Sequence, residues 1–180
     1  MPPAAPSDLF VYLERLGIVT RTVAHAPVFT VAESRVIKAA IPGGHSKNLF
    51  LKDRKERVFL VVARDEARID LKRLPEAIGT SGRLSFGSAD LLRSVLGVEP
   101  GSVTPFAVIN DRGDGRVSVI LDADLMALER VNVHPLVNTM TTTIASADLI
   151  RFLRATGHEP CVLTLPEPAS ETGREAGASA

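Results

Sequence analysis

Three segments of the sequence place polar residues where loops meet predicted strands. They are GGHSKNLFLKD (43–53) with Lys47 and Asn48, GSVTP from Gly101 to Pro105, and VHPLVN with His134 and Asn138. A lysine ammonium and backbone N–H groups can stabilise negative charge on an ester oxygen, and an imidazole can accept a proton. Since sites form where loops meet a rigid scaffold, the recurrence predicts one shared pocket. Taken singly, each segment is equally compatible with a solvated lysine, a turn or a proline loop, so the spacing leaves the reaction open.

The better-known catalytic motifs are missing from the chain. A phosphate-binding loop needs G-x-x-x-x-G-K-[ST], which GGHSKN does not supply. A serine hydrolase elbow needs G-x-S-x-G, and Asn48 occupies the last position of GHSKN. The histidines are too scattered for a zinc site; they are His25, His45, His134 and His158. The sequence therefore predicts no metal, no cofactor and no serine nucleophile.

Length and composition restrict the class of protein. The chain has 180 residues, 45% of them hydrophobic, which predicts one folded domain over residues 1–165. Residues 166–180 contain almost nothing apolar and are predicted to form a disordered tail. The net charge is zero, so a polyanionic partner would have to meet a local basic patch. With no apolar leader, no apolar run near the roughly 18 residues of a membrane span and a lone Cys161, we expect a cytoplasmic protein without a disulfide.

Apolar periodicity and capping residues predict the helices. These are SDLFVYLERLG (7–17), TVAESRVIKAA (30–40), DLKRLPEAIG (70–79), SADLLRSVLG (88–97) and SADLIRFLRATG (146–157). Ser7 or Asp8 is expected to cap the first helix, and Ser88 the fourth, which Gly97 then stops. Thr30 and the glutamate three residues later match a capping box, so the second helix should begin there and end before the proline at position 42.

Shorter apolar runs bounded by turn residues predict the strands. They are IVTRTVAH (18–25), a hairpin over NLFLKDRKERVFLVVAR (48–64), RLSF (83–86), a second hairpin of FAVIN (106–110) and RVSVILD (116–122), then VNV (131–133), TMTTTIA (139–145) and CVLTL (161–165). Gly43 and Gly44 are expected to deliver the chain into its first hairpin, and Cys161 to fill a late strand. Hairpins mixed with single helices predict an α+β domain with a mostly antiparallel mixed sheet and short helices packed around it.

In this order, four segments resemble a known family of enzymes. HAPVFTVAE, GGHSKNLFLKD, LGVEPGSVTPFAV and VHPLVNTMTTTIASADLIRFL resemble the aminoacyl-tRNA deacylases related to the editing insertion domain of bacterial prolyl-tRNA synthetase, the YbaK and ProX group. The resemblance covers roughly residues 8 to 165. Within the group, the chain is most similar to the free-standing deacylases that clear alanine from proline tRNA, and the cysteine-clearing relatives are the nearest alternative.

The resemblance implies hydrolysis of the ester between an amino acid and the 3′ ribose of tRNA, with prolyl-tRNA spared. Water attacks, and a ribose hydroxyl helps to activate it. Lys47 would bring its ammonium to the ester, and His134 would be a general base or a wall of the pocket. The other implied substrate-binding residues are Phe29, Thr30, Asn48, Gly101, Ser102, Pro105 and Asn138. Gly101 and Ser102 would offer backbone N–H groups, and VFTVAE with LFL would form an apolar wall that measures the side chain.

A partner and two alternative functions accompany this interpretation. The implied partner is the acceptor end of proline tRNA, with prolyl-tRNA synthetase or an elongation factor as candidates for delivering it. Lys52, Arg54 and Lys55 of KDRKER are the candidate tRNA contacts, although the same residues also fit a solvated hairpin turn. The alternatives are a module that binds aminoacyl-tRNA without cleaving it and a relative that acts on another small ester. Lys47 and His134 favour the enzyme.

Overall fold

The computed structural model describes residues 2–27, 31–80 and 82–169. The strands in this part of the chain are β1 Thr20–Ala24, β2 Gly44–Lys52, β3 Val58–Arg64, β4 Ser85–Phe86, β5 Val117–Asp122, β6 Arg130–Val133, β7 Met140–Ala145 and β8 Cys161–Leu163. The α-helices are α1 Pro6–Arg15, α2 Val31–Ala40, α3 Leu74–Ala77, α4 Ala89–Leu96, α5 Ala123–Met126 and α6 Ser146–Ala155. None of these helices is both long and apolar enough to span a membrane.

One mixed sheet contains all the described strands. Its order is β1-β7-β6-β2-β3-β5-β8, and the short β4 also pairs with β2. The pairs β1–β7, β6–β7, β2–β3 and β2–β4 are antiparallel, whereas β2–β6, β3–β5 and β5–β8 are parallel. The predicted α+β domain with a mixed sheet is confirmed. Its parallel pairs join strands that are far apart in sequence, and they decide which loops meet.

The central strands β2, β3 and β5 carry a core on each face. Phe50 and Leu60 belong to a larger cluster with α1, α4 and α6, while Leu51 and Val61 belong to a smaller one on the other side. Successive side chains of a strand point to opposite faces, so these neighbours alternate between the two clusters. Burial on both faces explains why VFLVVA reads as a continuous apolar run rather than an alternating one.

The prediction of a strand at FAVIN is wrong. Pro105–Asn110 forms a 3-10 helix, which begins where Thr104 Oγ1 accepts a hydrogen bond from Phe106 N at 3.4 Å. Phe106 is completely buried and meets Phe152 edge-on, with ring centroids 5.1 Å apart. A short apolar run does not distinguish a buried strand from a buried helix. The second hairpin therefore does not exist, and β5 pairs in parallel with β3 instead.

The first hairpin is confirmed but begins earlier than predicted. β2 starts at Gly44, so Lys47 and Asn48 lie inside the strand and pair with Ala63 and Val62 of β3. The paired glycines do lead into this strand. Gly43 has φ +117°, a region that favours glycine, and a Cβ there would lie 3.1 Å from the side-chain amide nitrogen of a β6 asparagine.

Helix ends follow local chemistry where the capping residue lies close in sequence to the group that it caps. α4 is confirmed: Ser88 Oγ accepts from Leu91 N at 3.1 Å, and Gly97 follows the helix with φ +64°. α1 begins at Pro6 instead of behind a Ser7 or Asp8 cap, and the Asp8 carboxylate accepts from Ala5 N at 2.8 Å.

Three further predictions need correction or completion. The helix expected over residues 70–79 shrinks to the single turn α3, and α5 was not predicted. The helix at 30–40 is confirmed from residue 31 onward, whereas Thr30 lies outside the described residues. Cys161 does lie in a late strand, but it is exposed and does not fill the core.

The end of the fold reaches slightly beyond residue 165. Leu165 is buried, and Pro166 O accepts a hydrogen bond from Asp70 N at 2.7 Å. Arg73 also donates to the Glu167 carbonyl at 3.4 Å. The first residues of the predicted tail are thus fixed against the segment before α3, while residues 170–180 lie outside the described part of the chain.

Two truncations test where the folded domain stops. Deleting residues 170–180 is expected to leave the melting temperature unchanged, because their sequence offers no core-forming side chain. Deleting residues 166–180 is expected to lower it by about 2–4 °C, since Asp70 N loses an acceptor worth about 1 kcal/mol. Thermal melts followed by circular dichroism measure both. A large drop for the shorter deletion would contradict the tail prediction.

Candidate functional site

A cavity of about 290 Å³ lies where β6, β7 and the start of β2 meet the loops of the sequence motifs. Its lining includes three residues predicted for the site, His134, Asn138 and Gly101. The cavity thus brings together residues that were predicted from two of the three motif segments, VHPLVN and GSVTP. The described lining residues do not include Lys47, Asn48, Ser102 or Pro105.

His134 is held in one tautomer. Its Nδ1 lies 2.9 Å from Met140 O, and because a carbonyl oxygen can only accept, Nδ1 carries the proton and Nε2 keeps a lone pair. Burial lowers the pKa of His134 below its ordinary value; the hydrogen bond to Met140 opposes this, and the charge of His25 adds to it. At neutral pH the imidazole is therefore uncharged and able to accept a proton.

His25 is a cavity residue that the sequence interpretation missed. Its Nδ1 lies 2.8 Å from Ala26 O and its Nε2 lies 2.9 Å from Thr141 Oγ1, and its ring centroid is 6.5 Å from that of His134. The available signal was its position at the start of HAPVFTVAE, one of the four segments that carry the resemblance. The parallel pairing of β2 with β6 and the β1–β7 ladder bring it to the site.

The GSVTP loop supports the site differently from what was expected. Ser102 N–H donates to Glu99 O at 3.0 Å, so this N–H is already engaged, and its contact with a substrate stays a prediction. Gly101 has φ +87° and lies against Asn138, whose amide nitrogen is 3.8 Å from where a Cβ would stand. Pro105 is buried as the first residue of the 3-10 helix. Thr104 donates from Oγ1 to His134 O at 2.6 Å and thereby fixes the backbone of the histidine.

The VHPLVN segment owes its shape to one unusual residue. Leu136 adopts φ +69°, a left-handed conformation that costs a non-glycine residue about 1–2 kcal/mol. Its side chain is buried, and burial of a leucine contributes roughly enough to offset that cost. The tight turn between His134 and Asn138 lets both residues line the same cavity.

Lys47 and Asn48 lie beside the cavity rather than in its wall. The Lys47 ammonium donates to the carbonyl of Ala67, in the segment after β3 that supplies Asp65 to the cavity lining. Asn48 Oδ1 is buried and has no hydrogen-bond partner among the described residues. A buried acceptor left unpaired costs about 1–3 kcal/mol, so this oxygen suits a donor that arrives with a ligand.

Asn132, a buried residue that was not predicted from the sequence, lines the cavity. Asn132 Oδ1 accepts from Thr143 Oγ1 at 2.6 Å, and its Nδ2 lies 3.3 Å from Pro42 O. Its backbone oxygen accepts from Ser46 Oγ at 2.9 Å, which joins β6 to β2 beside the paired glycines. Apart from its place in a short predicted strand, nothing in the sequence marks this asparagine.

A larger cavity of about 980 Å³ adjoins the first and shares Lys38, His45 and Asp65 with it. Its lining carries four basic and four acidic side chains, so no excess of positive charge marks it as a phosphate site. The basic members are Arg21, Lys38, Arg64 and Arg130, and the acidic ones Asp65, Glu66, Glu129 and Asp148.

The remaining predicted residues lie elsewhere or outside the described chain. Lys52, Arg54 and Lys55 lie in the β2–β3 turn, about 20 Å along β2 from Ser46 at the usual rise per residue. Lys52 is bonded to Glu56 at 3.0 Å. Their contact with tRNA stays a prediction. Phe29 and Thr30 lie outside the described residues, and the LFL segment forms part of the cores, so apolar contact in the cavity comes from Ile37 and Val133.

Comparison with known proteins decides the family. Residues 25–152 match the family model described as "Aminoacyl-tRNA editing domain", which is well over half of the chain. The chain belongs to the aminoacyl-tRNA editing family. A Danio rerio protein named "Prolyl-tRNA synthetase associated domain-containing protein 1" is 38% identical over 159 residues, covering 87% of this chain and 85% of that protein. The prolyl-tRNA editing protein ProX of Acetoanaerobium sticklandii is 38% identical over 147 residues, covering 81% and 88%.

A solved structure shares the fold of this editing domain. It is described as "Crystal structure of a putative trans-editing enzyme for prolyl tRNA synthetase", and it covers 92% of this chain and 99% of its own with a TM-score of 0.68 at 19% identity. The resemblance to editing deacylases is therefore confirmed at the level of the family and of the fold. Among residues 2–27, 31–80 and 82–169, no three His, Cys, Asp or Glu side chains gather around a common point that could hold a metal ion.

The pH dependence of deacylation tests whether His134 is a base. An imidazole acts as a general base only in its neutral form. The deacylation rate should therefore rise with pH through the pKa of His134 and stay constant above it. Because burial lowers that pKa, the rise should lie below the ordinary value of 6.5. His134→Gln, which cannot titrate, should lose about 100-fold or more in rate together with the rising limb.

His25→Gln serves as the matched control in the same cavity. The charge of His25 lowers the pKa of His134. Replacing His25 should therefore shift the rising part of the pH–rate profile to higher pH without abolishing it. Rates of amino acid release between pH 5 and 8 measure both variants. If His134→Gln keeps most of the rate, the histidine is a wall of the pocket.

Proposed function

We propose that this editing domain hydrolyses the ester of alanyl-tRNA(Pro) and spares prolyl-tRNA(Pro). The observation that carries the proposal is the convergence of His134, Asn138 and Gly101 on one small cavity in a member of the aminoacyl-tRNA editing family. The names of the two relatives, which refer to prolyl-tRNA synthetase and prolyl-tRNA editing, support proline tRNA as the carrier.

The proposed mechanism uses water as the nucleophile. The amino acid enters the cavity, and the neutral His134 presents the Nε2 lone pair to the water or to the ribose hydroxyl that activates it. Thr104 and Met140 hold this imidazole through its backbone oxygen and its Nδ1 proton. Preorganised groups of this kind lower the barrier because they need no rearrangement as charge develops.

Lys47 supplies the positive charge in this proposal. Its ammonium is bonded to one backbone carbonyl, that of Ala67, which lies two residues after the cavity residue Asp65. A lysine side chain has four flexible carbon–carbon bonds, and water or substrate can replace a single carbonyl partner at a partly exposed position. The ammonium can thus turn from the rim of the cavity to the ester oxygen when tRNA is bound. Asn48, the next residue of β2, has its side chain on the opposite face of the strand, so in this proposal it braces the segment that carries Lys47.

Size selects the amino acid. The cavity is small, and the apolar side chains in its described wall are Ile37 and Val133. An apolar pocket refuses a larger group by clash but distinguishes smaller ones by only about 1–3 kcal/mol per methylene. In this proposal the wall refuses proline, whose ring adds two carbons to alanine, and separates alanine from serine only weakly.

Amino acid release from a panel of charged tRNAs tests the proposal. Alanyl-tRNA(Pro) is expected to be hydrolysed at least about 100-fold faster than prolyl-tRNA(Pro), with the seryl and cysteinyl esters between them or close to alanine. The purified protein and radiolabelled amino acids on one tRNA transcript make the four rates directly comparable. Comparable alanyl and prolyl rates would contradict the assignment.

Substitution of Lys47 separates its charge from its bulk. Lys47→Met keeps most of the length of the side chain and is expected to lower the rate by about 100- to 1,000-fold, as loss of one donor to a developing oxyanion does. Lys47→Arg is expected to restore little, because a planar guanidinium differs from a compact ammonium. The melting temperature should barely change, since only the bond to Ala67 is lost.

Lys72→Met is the matched control, because Lys72 is exposed and lines neither cavity. It should retain the wild-type rate. Near wild-type turnover by Lys47→Met would show that this lysine is merely solvated and would leave His134 as the main catalytic group.

A further inference from the structure

Asp65 is the single acidic side chain among the described residues that line the smaller cavity. It directly follows β3, and its backbone N–H donates to His45 O at 2.9 Å, which ties it to the start of β2. Its side chain is 32% exposed, so most of the carboxylate is withdrawn from bulk water. The sequence interpretation gave this residue no role.

The Asp65 carboxylate already binds a primary ammonium group. Lys38 of α2 donates from Nζ to Asp65 Oδ2. An amino acid esterified to tRNA keeps its α-amino group, which is also a primary amine with a pKa of about 8 in peptides and is mostly protonated at neutral pH. The pair with Lys38 therefore shows that the Asp65 carboxylate can bind a primary ammonium group. A carboxylate has about four acceptor positions on two oxygens, so a second ammonium can share it with Lys38.

The surroundings of Asp65 favour a cationic ligand over an anionic one. The charge of Lys38 is neutralised by the pair itself. His134 is neutral at pH 7 because burial lowers its pKa, and its Nε2 is an acceptor. Asn138 adds an amide oxygen to the same cavity. A positive group entering here meets these acceptors, and the other ionisable side chains of the described lining are the imidazoles of His25 and His45.

We propose that Asp65 binds the α-ammonium of the esterified amino acid and makes the site specific for esters with a free α-amino group. This inference rests on the proposed function, because it assumes that the cavity receives an aminoacyl ester. It assigns selectivity for the backbone of the amino acid to Asp65 and leaves selectivity for side-chain size to the apolar wall. N-acylated esters, in which the nitrogen carries no charge, would be excluded.

Two esters of the same size test the proposal on the intact protein. Alanyl-tRNA(Pro) carries the α-ammonium, and lactyl-tRNA(Pro) carries a neutral hydroxyl in its place. Asp65→Asn keeps the shape of the side chain and removes its charge. It is expected to lower kcat/KM for the alanyl ester by about 10- to 100-fold, the usual effect of losing a hydrogen bond to a charged group, and to change the lactyl value by less than about threefold.

Two variants separate binding from support of the fold. Glu66→Gln makes the same change of charge at the next residue. The Glu66 side chain is 82% exposed and lines only the larger cavity. This variant should change kcat/KM for neither ester. Lys38→Met removes the partner of Asp65 and should preserve the preference for the alanyl ester. If Asp65 only anchors α2, Lys38→Met and Asp65→Asn will each lower kcat/KM for the alanyl and lactyl esters by the same factor. That result overturns the proposal.

The outcome also distinguishes this inference from the function on which it rests. If the wild-type protein cleaves both esters and Asp65→Asn reduces them by the same factor, the ammonium site is overturned and the deacylase remains. If the wild-type protein cleaves neither, the proposed function is overturned and the ammonium site with it.

Discussion

The short parallel pairing of β2 with β6 is the contact on which the rest of the structure depends. It covers only Gly44 with Val131 and His45 with Asn132, yet it joins the strands β1, β7 and β6 to the strands β2, β3, β5 and β8. So short a ladder offers few backbone hydrogen bonds, and the buried side chain of Asn132 reinforces it. Glycine suits position 43 beside it, because a φ of +117° favours glycine and a Cβ there would lie 3.1 Å from the asparagine amide nitrogen, which is a tight contact.

The candidate site is a consequence of this junction. The cavity opens where the two parts of the sheet diverge, so it collects residues from both, His134 from one side and Asp65 from the other. Met140 O fixes the Nδ1 proton of His134, and this leaves its Nε2 as an acceptor. Lys38 is paired with Asp65, and Lys47 is bonded to Ala67 O outside the described lining. A cavity with a carboxylate and a neutral imidazole suits the proposed ester, which carries an ammonium group.

Much of the fold could be predicted because its signals are local. Ser88 and Gly97 bound α4 as expected, since a cap is satisfied by residues within one turn of it. The β2–β3 hairpin was evident from two apolar runs around a charged turn. FAVIN was not predictable in the same way, because its four consecutive buried residues, Phe106 to Ile109, look alike in a strand and in a 3-10 helix. The edge contact of Phe106 with Phe152 belongs to the tertiary structure. The parallel pairs β3–β5 and β5–β8 likewise leave no local trace.

By itself the sequence determined the family and the segments that matter, because ordered motifs such as GGHSKNLFLKD and VHPLVN are properties of the chain alone. It also identified His134, Asn138 and Gly101, which do share a cavity. Only the tertiary structure decided that His25, Asp65 and Asn132 join them and that the described lining does not include Lys47. The physical reason is that a cavity is bounded by residues distant in sequence, and their approach depends on the pairing of strands and on side-chain burial, which motif spacing does not encode.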